Sequence, residues 1–188
     1  MSRHARTKTS AAQGHARGTR SATGHAFTLA DEREEHATAV ERLLDVAYGP
    51  SRHRKTSQRL RKGRPPERGL SLVAFAGGQL VGTIRFWTVS AGGRRALLLG
   101  PLAVDPAHWS QGIGGALVEE ALKRAAEAGE DAVLLVGDAP YYGRFGFTKE
   151  LTRELWLPGP VERDRFLALE LKPGALQGAR GAVRPLTS

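Results

Sequence analysis

Between residues 102 and 118 the chain reads Leu-Ala-Val-Asp-Pro-Ala-His-Trp-Ser-Gln-Gly-Ile-Gly-Gly-Ala-Leu-Val. An apolar strand ends, a short loop follows, glycines stand at 112, 114 and 115, and a helix begins. Glycines let the main chain approach a ligand closely, and the free N–H groups of a first helical turn converge on one spot with the helix dipole behind them. This is an anion site suited to a pyrophosphate. A dinucleotide fingerprint would need a third glycine at 117, where Leu117 stands, and no Walker lysine follows the glycines, which argues against nucleoside triphosphate hydrolysis.

The flanking sequence places this segment inside a sheet. Phe27 to Leu29 alternates as a short first strand, and Asp31 opens a helical pattern with Ala37, Val40, Leu43, Leu44 and Ala47 on one face, stopped at Gly49-Pro50. Residues 51 to 62 read as a weaker, basic helix. Leu70 to Ala76 and Gln79 to Val89 form a hairpin about Gly77-Gly78. Arg94 to Val104 is the next strand. Gly100-Pro101 interrupts it, where a ladder would not tolerate proline, so a bulge or splay is expected. Ile113 to Ala128 is an amphipathic helix, Ala132 to Val136 a buried strand, 139 to 144 a helical turn and Phe166 to Leu171 a last strand. Antiparallel hairpins followed by a strand-helix-strand unit give an α+β fold, a mixed sheet with helices on both faces.

Charge is the feature most easily misread. The chain of 188 residues has 28 Lys+Arg against 19 Asp+Glu, a net +9. Yet the first acid is Asp31 and the last Glu170, so residues 1 to 30 contribute five of those charges and residues 172 to 188 three, eight of the nine. Residues 1 to 26 lack large apolar side chains apart from Met1 and are expected to be a disordered basic tail; 172 to 188 are expected to be an irregular basic tail. The domain is then 27 to 171. Within it the stretch 51 to 68 holds eight basic residues against Glu67. Nucleic-acid binding through these basic runs is the alternative function, but no aromatic residues interleave them. Without cysteine there is no disulfide framework, thiolate metal site or cysteine nucleophile. No apolar run approaches the ~20 residues that span a bilayer. A cytoplasmic protein without membrane contact is expected, and no metal.

Three motifs occur in order and spacing: Val104-Asp105-Pro106, Gly112-Ile113-Gly114 and the run from Tyr142 through Gly146-Phe147. Together they resemble the GNAT superfamily of acyl-CoA-dependent N-acyltransferases, over residues 27 to 171 and most clearly over 70 to 147. The resemblance implies a sheet splayed at the cofactor site and acetyl-CoA as co-substrate, with an acetyl group passing to a primary amine by direct attack in a ternary complex. It implies that main-chain groups of Leu102, Ala103 and Val104 pair with the pantetheine arm. It further implies that Ser110, Gln111, Gly112, Ile113, Gly114, Gly115 and Ala116 hold the pyrophosphate. Tyr142 would be the acid that protonates the departing thiolate; its bland alternative is a half-buried packing tyrosine. A catalytically silent CoA-binding protein is a further alternative. The sequence departs from the family at the loop's first position, where Trp109 replaces the usual Arg or Gln; a shifted frame would use Gln111, Gly114 and Ala116. The first frame is preferred, because loop length is harder to change than a side chain whose backbone does the binding. The base is not legible: Asp138, Glu154, Asp105, His108 or water alone would serve. Arg52, Arg54, Lys55, Arg59 and Arg61 would border the acceptor site, with Trp87 and Trp156 as further wall residues. A small-molecule or peptide amine is the expected partner, and homodimers are common for the architecture.

Overall fold

The computed structural model describes residues 18–20 and 26–186. Its strands are β1 (Gly18–Arg20), β2 (Ala26–Asp31), β3 (Leu72–Ala76), β4 (Gln79–Ala91), β5 (Arg94–Val104), β6 (Ala132–Val136), β7 (Leu155–Trp156), β8 (Phe166–Glu170) and β9 (Gly181–Pro185). The helices are α1 (Ala37–Tyr48), α2 (Thr56–Arg59), α3 (Ile113–Glu127) and α4 (Ala139–Gly143). One sheet runs in the order β1-β2-β3-β4-β5-β6-β8, antiparallel throughout except for the parallel pair β5-β6.

Strand alternation decides which helix covers which face. In β3, Leu72 and Ala74 join the core beneath α3, with Ile113, Leu117 and Ala121. The intervening Val73 faces the other way, onto Val40, Leu43 and Leu44 of α1. A period of two thus puts the two helices on opposite faces. Helix α3 lies so close to the sheet that a Cβ on Gly82 would come 3.0 Å from Ile113 Cγ2 and 3.0 Å from Leu117 Cδ1. A second core collects Leu60, Leu98, Leu134, Phe166 and Val183 under the later strands.

Two expectations change. The end of the chain is not an irregular tail, because β9 pairs antiparallel with Val89, Ser90 and Ala91 of β4 and parallel with β7. Its Val183 is fully buried, which anchors a segment otherwise made of small and polar residues. Two of its basic residues are also paired, Lys172 with Asp131 at 2.6 Å and Arg180 with Glu154 at 3.3 Å. At the other end Gly18–Arg20 pair with β2; apart from these and Ala26, the expected disordered tail lies outside the described residues. The basic segment after α1 is not one helix. It is a 3-10 turn over Pro50–Arg54 followed by the single turn of α2, since Leu60 is its one apolar anchor. No helix among the described residues is long and apolar enough to cross a membrane.

Candidate active site

Strand β5 follows β4 along its whole length but meets β6 only at Leu97–Val133 and Leu98–Leu134. Beyond that point the two strands part. The register explains why: Phe86 faces Leu99 and Ile84 faces Leu102, so β5 carries one extra residue at Gly100-Pro101. Gly100 has φ +121°, open to glycine alone, and proline has no N–H to give to a ladder. The expected bulge is therefore the place where the sheet opens into a seam.

Past the bulge the main-chain groups alternate. Asp105 N–H donates to Val81 in the direction of β4, which orients Ala103 the same way. Leu102 and Val104 face the seam instead: the Leu102 carbonyl accepts from the Tyr48 hydroxyl, and the Val104 carbonyl from the Trp109 indole at 2.9 Å. A strand residue presents its N–H and C=O on one side, so the N–H groups of Leu102 and Val104 also face the seam. Ala103 does not share this position; its polar groups face Thr83 in the ladder.

The loop after β5 is built from short caps. Asp105 Oδ1 accepts from Ala107 N–H at 2.8 Å and fixes a 3-10 turn opened by Pro106. Trp109 then stands 64% exposed, tethered by its indole N–H. Ser110 and Gly112 take φ +63° and +80°, and α3 starts. Its first internal bond is Ala116 N–H to Gly112 at 3.0 Å, which removes the Ala116 N–H from use. The N–H groups of Gln111 through Gly115 have no acceptor among the described residues. With the dipole of a 15-residue helix behind them they form a cradle for an anion. Gly112 needs its positive φ, and a Cβ on Gly114 would come 2.9 Å from Tyr141 Oη, so both glycines of the frame beginning at Trp109 sit where a side chain does not fit. Sequence reasoning missed Arg144. A Cβ on Gly115 would lie 3.3 Å from its Nη2, and its guanidinium is stacked 4.2 Å from the Tyr141 ring and 4.6 Å from that of Phe145. A basic residue between the tyrosine and Gly146-Phe147 was its only sequence signal.

A cavity of about 600 Å³ opens into the seam, walled by Leu99 to Leu102 on one side and Leu135 to Asp138 on the other. Tyr142 and Leu102 both line it; none of residues 110 to 116 does. Tyr141 joins the two regions, its hydroxyl against Gly114 and its ring 4.9 Å from that of Tyr142. The Tyr142 ring lies directly on Gly137, whose Cβ, if present, would come 2.3 Å from it, and packs edge-on against Phe147 at 5.8 Å. Burial, with smaller help from Tyr48 and Tyr141, raises the Tyr142 phenol far above its ordinary pKa. It remains protonated at neutral pH.

Of the carboxylates considered as a base, only Asp138 reaches the cavity, and its Oδ2 caps α4 by accepting from Tyr141 N–H at 3.0 Å. Asp105 is a cap, Glu154 pairs with Arg180, and neither they nor His108 line the cavity. Of the five basic residues expected at the acceptor site, Arg52, Lys55 and Arg61 line it, whereas Arg54 does not and Arg59 donates to the Pro158 carbonyl at 2.6 Å; Lys62 and Arg64 of the same stretch line it as well. Trp87 is a buried wall residue whose indole donates to the Arg64 carbonyl at 3.1 Å. Trp156 is exposed elsewhere.

The Acetyltransferase (GNAT) family profile matches residues 37–147. The uncharacterized N-acetyltransferase YhbS of Escherichia coli K12 is 35% identical over 108 residues, which cover 56% of this chain and 65% of that protein. The match thus spans less than two thirds of the relative's length. The crystal structure of Escherichia coli YhbS in complex with CoA superposes with a TM-score of 0.73 at 27% identity, covering 94% of both chains. A GNAT family acetyltransferase from Brucella melitensis in complex with acetyl-CoA gives 0.65 at 29% identity, over 87% of this chain and 97% of that one. The parted strands, the glycine cradle and the family match over more than half of the sequence agree, and the chain belongs to the GNAT acetyltransferase family.

Proposed function

We propose that the protein is an acetyl-CoA-dependent N-acetyltransferase acting on a primary amine by direct attack within a ternary complex. The observation that carries this is the continuity of the seam: donors at Leu102 and Val104 lead along β5 to the open N-terminus of α3, and Tyr142 lines the cavity at the same opening. Solved relatives that hold CoA or acetyl-CoA support it.

The residues fit the co-substrate. The N–H groups of Leu102 and Val104 would bind an extended amide-bearing arm as an added strand, and the N–H groups of Gln111 to Gly115, with Arg144 beside them, would hold a pyrophosphate. Ala116, by closing the first helical bond, shapes the cradle without donating its N–H, whereas the N–H of Ser110, at φ +63°, has no acceptor among the described residues and stands beside it. When bound, acetyl-CoA supplies an acetyl group activated as a thioester. A seam-facing N–H of β5 polarises the acetyl carbonyl. Tyr142 holds a proton at its hydroxyl for the departing thiolate. An alkyl amine, with pKa about 10.4, must lose a proton before its nitrogen can form the new C–N bond as the C–S bond breaks. Asp138, or water in the cavity, takes that proton.

The test is calorimetric titration of the full chain with acetyl-CoA, followed by turnover of amines by wild type and Tyr142→Phe. Binding retained in the variant with kcat lowered about 10- to 100-fold is the expected result. Failure to bind any acyl-CoA overturns the proposal. Retained binding with no turnover by wild type would instead favour a silent CoA-binding protein.

A further inference from the structure

The cavity wall contains a cation that the reaction above does not use. Arg61 follows α2 and sends its guanidinium over the Trp87 ring at 5.2 Å, close enough to the bulge that a Cβ on Gly100 would lie 3.6 Å from Nη2. Its Nε is buried with no hydrogen-bond partner, and no carboxylate among the described residues pairs with the group. Burial pushes Arg61 down to about 10, so it is still charged at neutral pH. Arg61 is half-buried, and a charge drawn partly out of water without an ionic partner is disfavoured. Folding alone gives no return for placing it there.

The neighbouring acids are committed elsewhere. Both oxygens of Glu41 are taken, one by Arg85 Nη1 at 2.8 Å and the other by Arg52 Nη2 at 2.6 Å. Asp138 caps α4. The other basic groups of the wall differ from Arg61: Arg52 and Arg85 are ion-paired, Arg64 donates to the carbonyls of Leu60, Thr88 and Leu186, and His53, Lys55, Lys62 and Arg165 are exposed. One half-buried fork without an ion-pair partner is left facing the space where an acceptor would lie.

We propose that the acceptor is an amine that also bears a carboxylate, an amino acid or a short peptide, and that Arg61 binds this carboxylate while the amine points toward Tyr142. The proposal rests on the acetyltransferase reading and names its substrate class. A guanidinium fork matches the two oxygens of a carboxylate side by side. A single unpaired unit of charge is balanced by a single unit on the ligand. The Trp87 ring, 5.2 Å from the guanidinium carbon, gives the group a cation–π neighbour on the cavity wall.

The experiment uses the full chain, acetyl-CoA, and a panel of α-, β- and ω-amino acids and dipeptides, each also supplied as its amide, with aminoalkyl phosphomonoesters of similar length. Acetyl-CoA binding is measured first by calorimetry. Its absence would overturn the acetyltransferase reading; its presence with a failed acid preference overturns only the present proposal. The expected result is acetylation of acids with kcat/KM about tenfold or more above their amides, as loss of a charged hydrogen bond implies. Arg61→Gln should abolish that preference while KM for acetyl-CoA is unchanged, and Arg61→Lys should restore it in part. In the absence of acceptor, Arg61→Gln should melt at or above the wild-type temperature, because the charge it removes has no partner. The proposal fails if amides react as well as acids, if phosphomonoesters are preferred or if no acid is acetylated. It fails equally if Arg61→Gln raises KM for acetyl-CoA or melts lower than wild type.

Discussion

The hydroxyl of Tyr48, the last residue of α1, donates to the carbonyl oxygen of Leu102, in the strand that borders the seam. One helix end thereby sets the position of the main chain on which the acyl group would be held. Removing the hydroxyl leaves a half-buried carbonyl without its partner. Tyr48→Phe should therefore cost about 1 kcal/mol in denaturant unfolding and raise KM for acetyl-CoA more than it lowers kcat. An unchanged KM would show that β5 holds its course without α1.

Tyr142 gives a pH prediction. Its folded-state pKa lies above the unfolded value of about 10 because burial disfavours the phenolate. The proton is held more tightly in the folded protein, so the associated stability is complete below pH 10 and is lost as pH rises above it. Melting temperatures of wild type and Tyr142→Phe between pH 8 and 11 should diverge only at the alkaline end, with the wild type falling more steeply. The kcat profile should show no decline from this group below about pH 10.

The buried ion network under α1 sets the acid limit. Arg85 donates to both oxygens of Glu32, with Nη2 to Oε1 at 2.6 Å and Nε to Oε2 at 2.9 Å, and Nη1 reaches Glu41 at 2.8 Å. Glu32→Ala leaves part of the Arg85 charge buried and uncompensated, and should cost about 3 kcal/mol in chemical denaturation. Burial alone would raise the Glu41 carboxyl, but hydrogen bonds from Arg85 and Arg52 outweigh it and hold the group below its ordinary range. A depressed carboxyl contributes stability above about pH 4.3 and loses it as pH falls through the folded value. Glu41→Gln should accordingly lower the melting temperature at pH 7 and make it less sensitive to acid.

At the cradle, Gly114→Ala would press a Cβ onto the Tyr141 hydroxyl, 2.9 Å away, and that ring is held by Arg144 stacked on its face. The expected effect is a rise in KM for acetyl-CoA of about tenfold, with a stability change of about 1 kcal/mol or less. Arg144→Ala should raise the same KM and steepen its dependence on salt less than wild type.

The C-terminal strand is tested by Val183→Ala. Val183 is fully buried beside Leu98 and Phe166 in the second core. Truncation should cost about 2 kcal/mol by urea unfolding; a substitution in an irregular tail would cost nothing measurable.

These experiments divide along the line between what local pattern encodes and what only the folded chain brings together. The bounds of β5 and β6 and the start of α3 follow from alternation, from Gly100-Pro101 and from the glycines at 112 to 115, all of which act within a few residues. β9 was hidden because Gly-Ala-Val-Arg-Pro has one apolar side chain of any size, and its strand form comes from pairing with residues 89 to 91, nearly a hundred positions earlier. Tyr48 and Arg85 were illegible for the same reason: each acts on a partner more than forty residues away. Arg61 stood in view as one of eight basic residues in 51 to 68, and only its place on the cavity wall with a buried, unpartnered Nε separates it from the others.

The brevity of the β5-β6 pairing has one more consequence. A strand with unmatched donors is ordinarily found at the rim of a sheet, where it invites other chains and must be defended with charge or proline. Here the rim has been moved indoors, to the place where β5 and β6 part within a sheet that carries a core on each face. Tyr48 and Trp109 already satisfy two acceptors along it and leave the donors. Adhesiveness and exposure, which usually rise together in a sheet, are thereby uncoupled: the main chain stays ready to add a strand, yet it faces the parting of β5 and β6 and not a free edge.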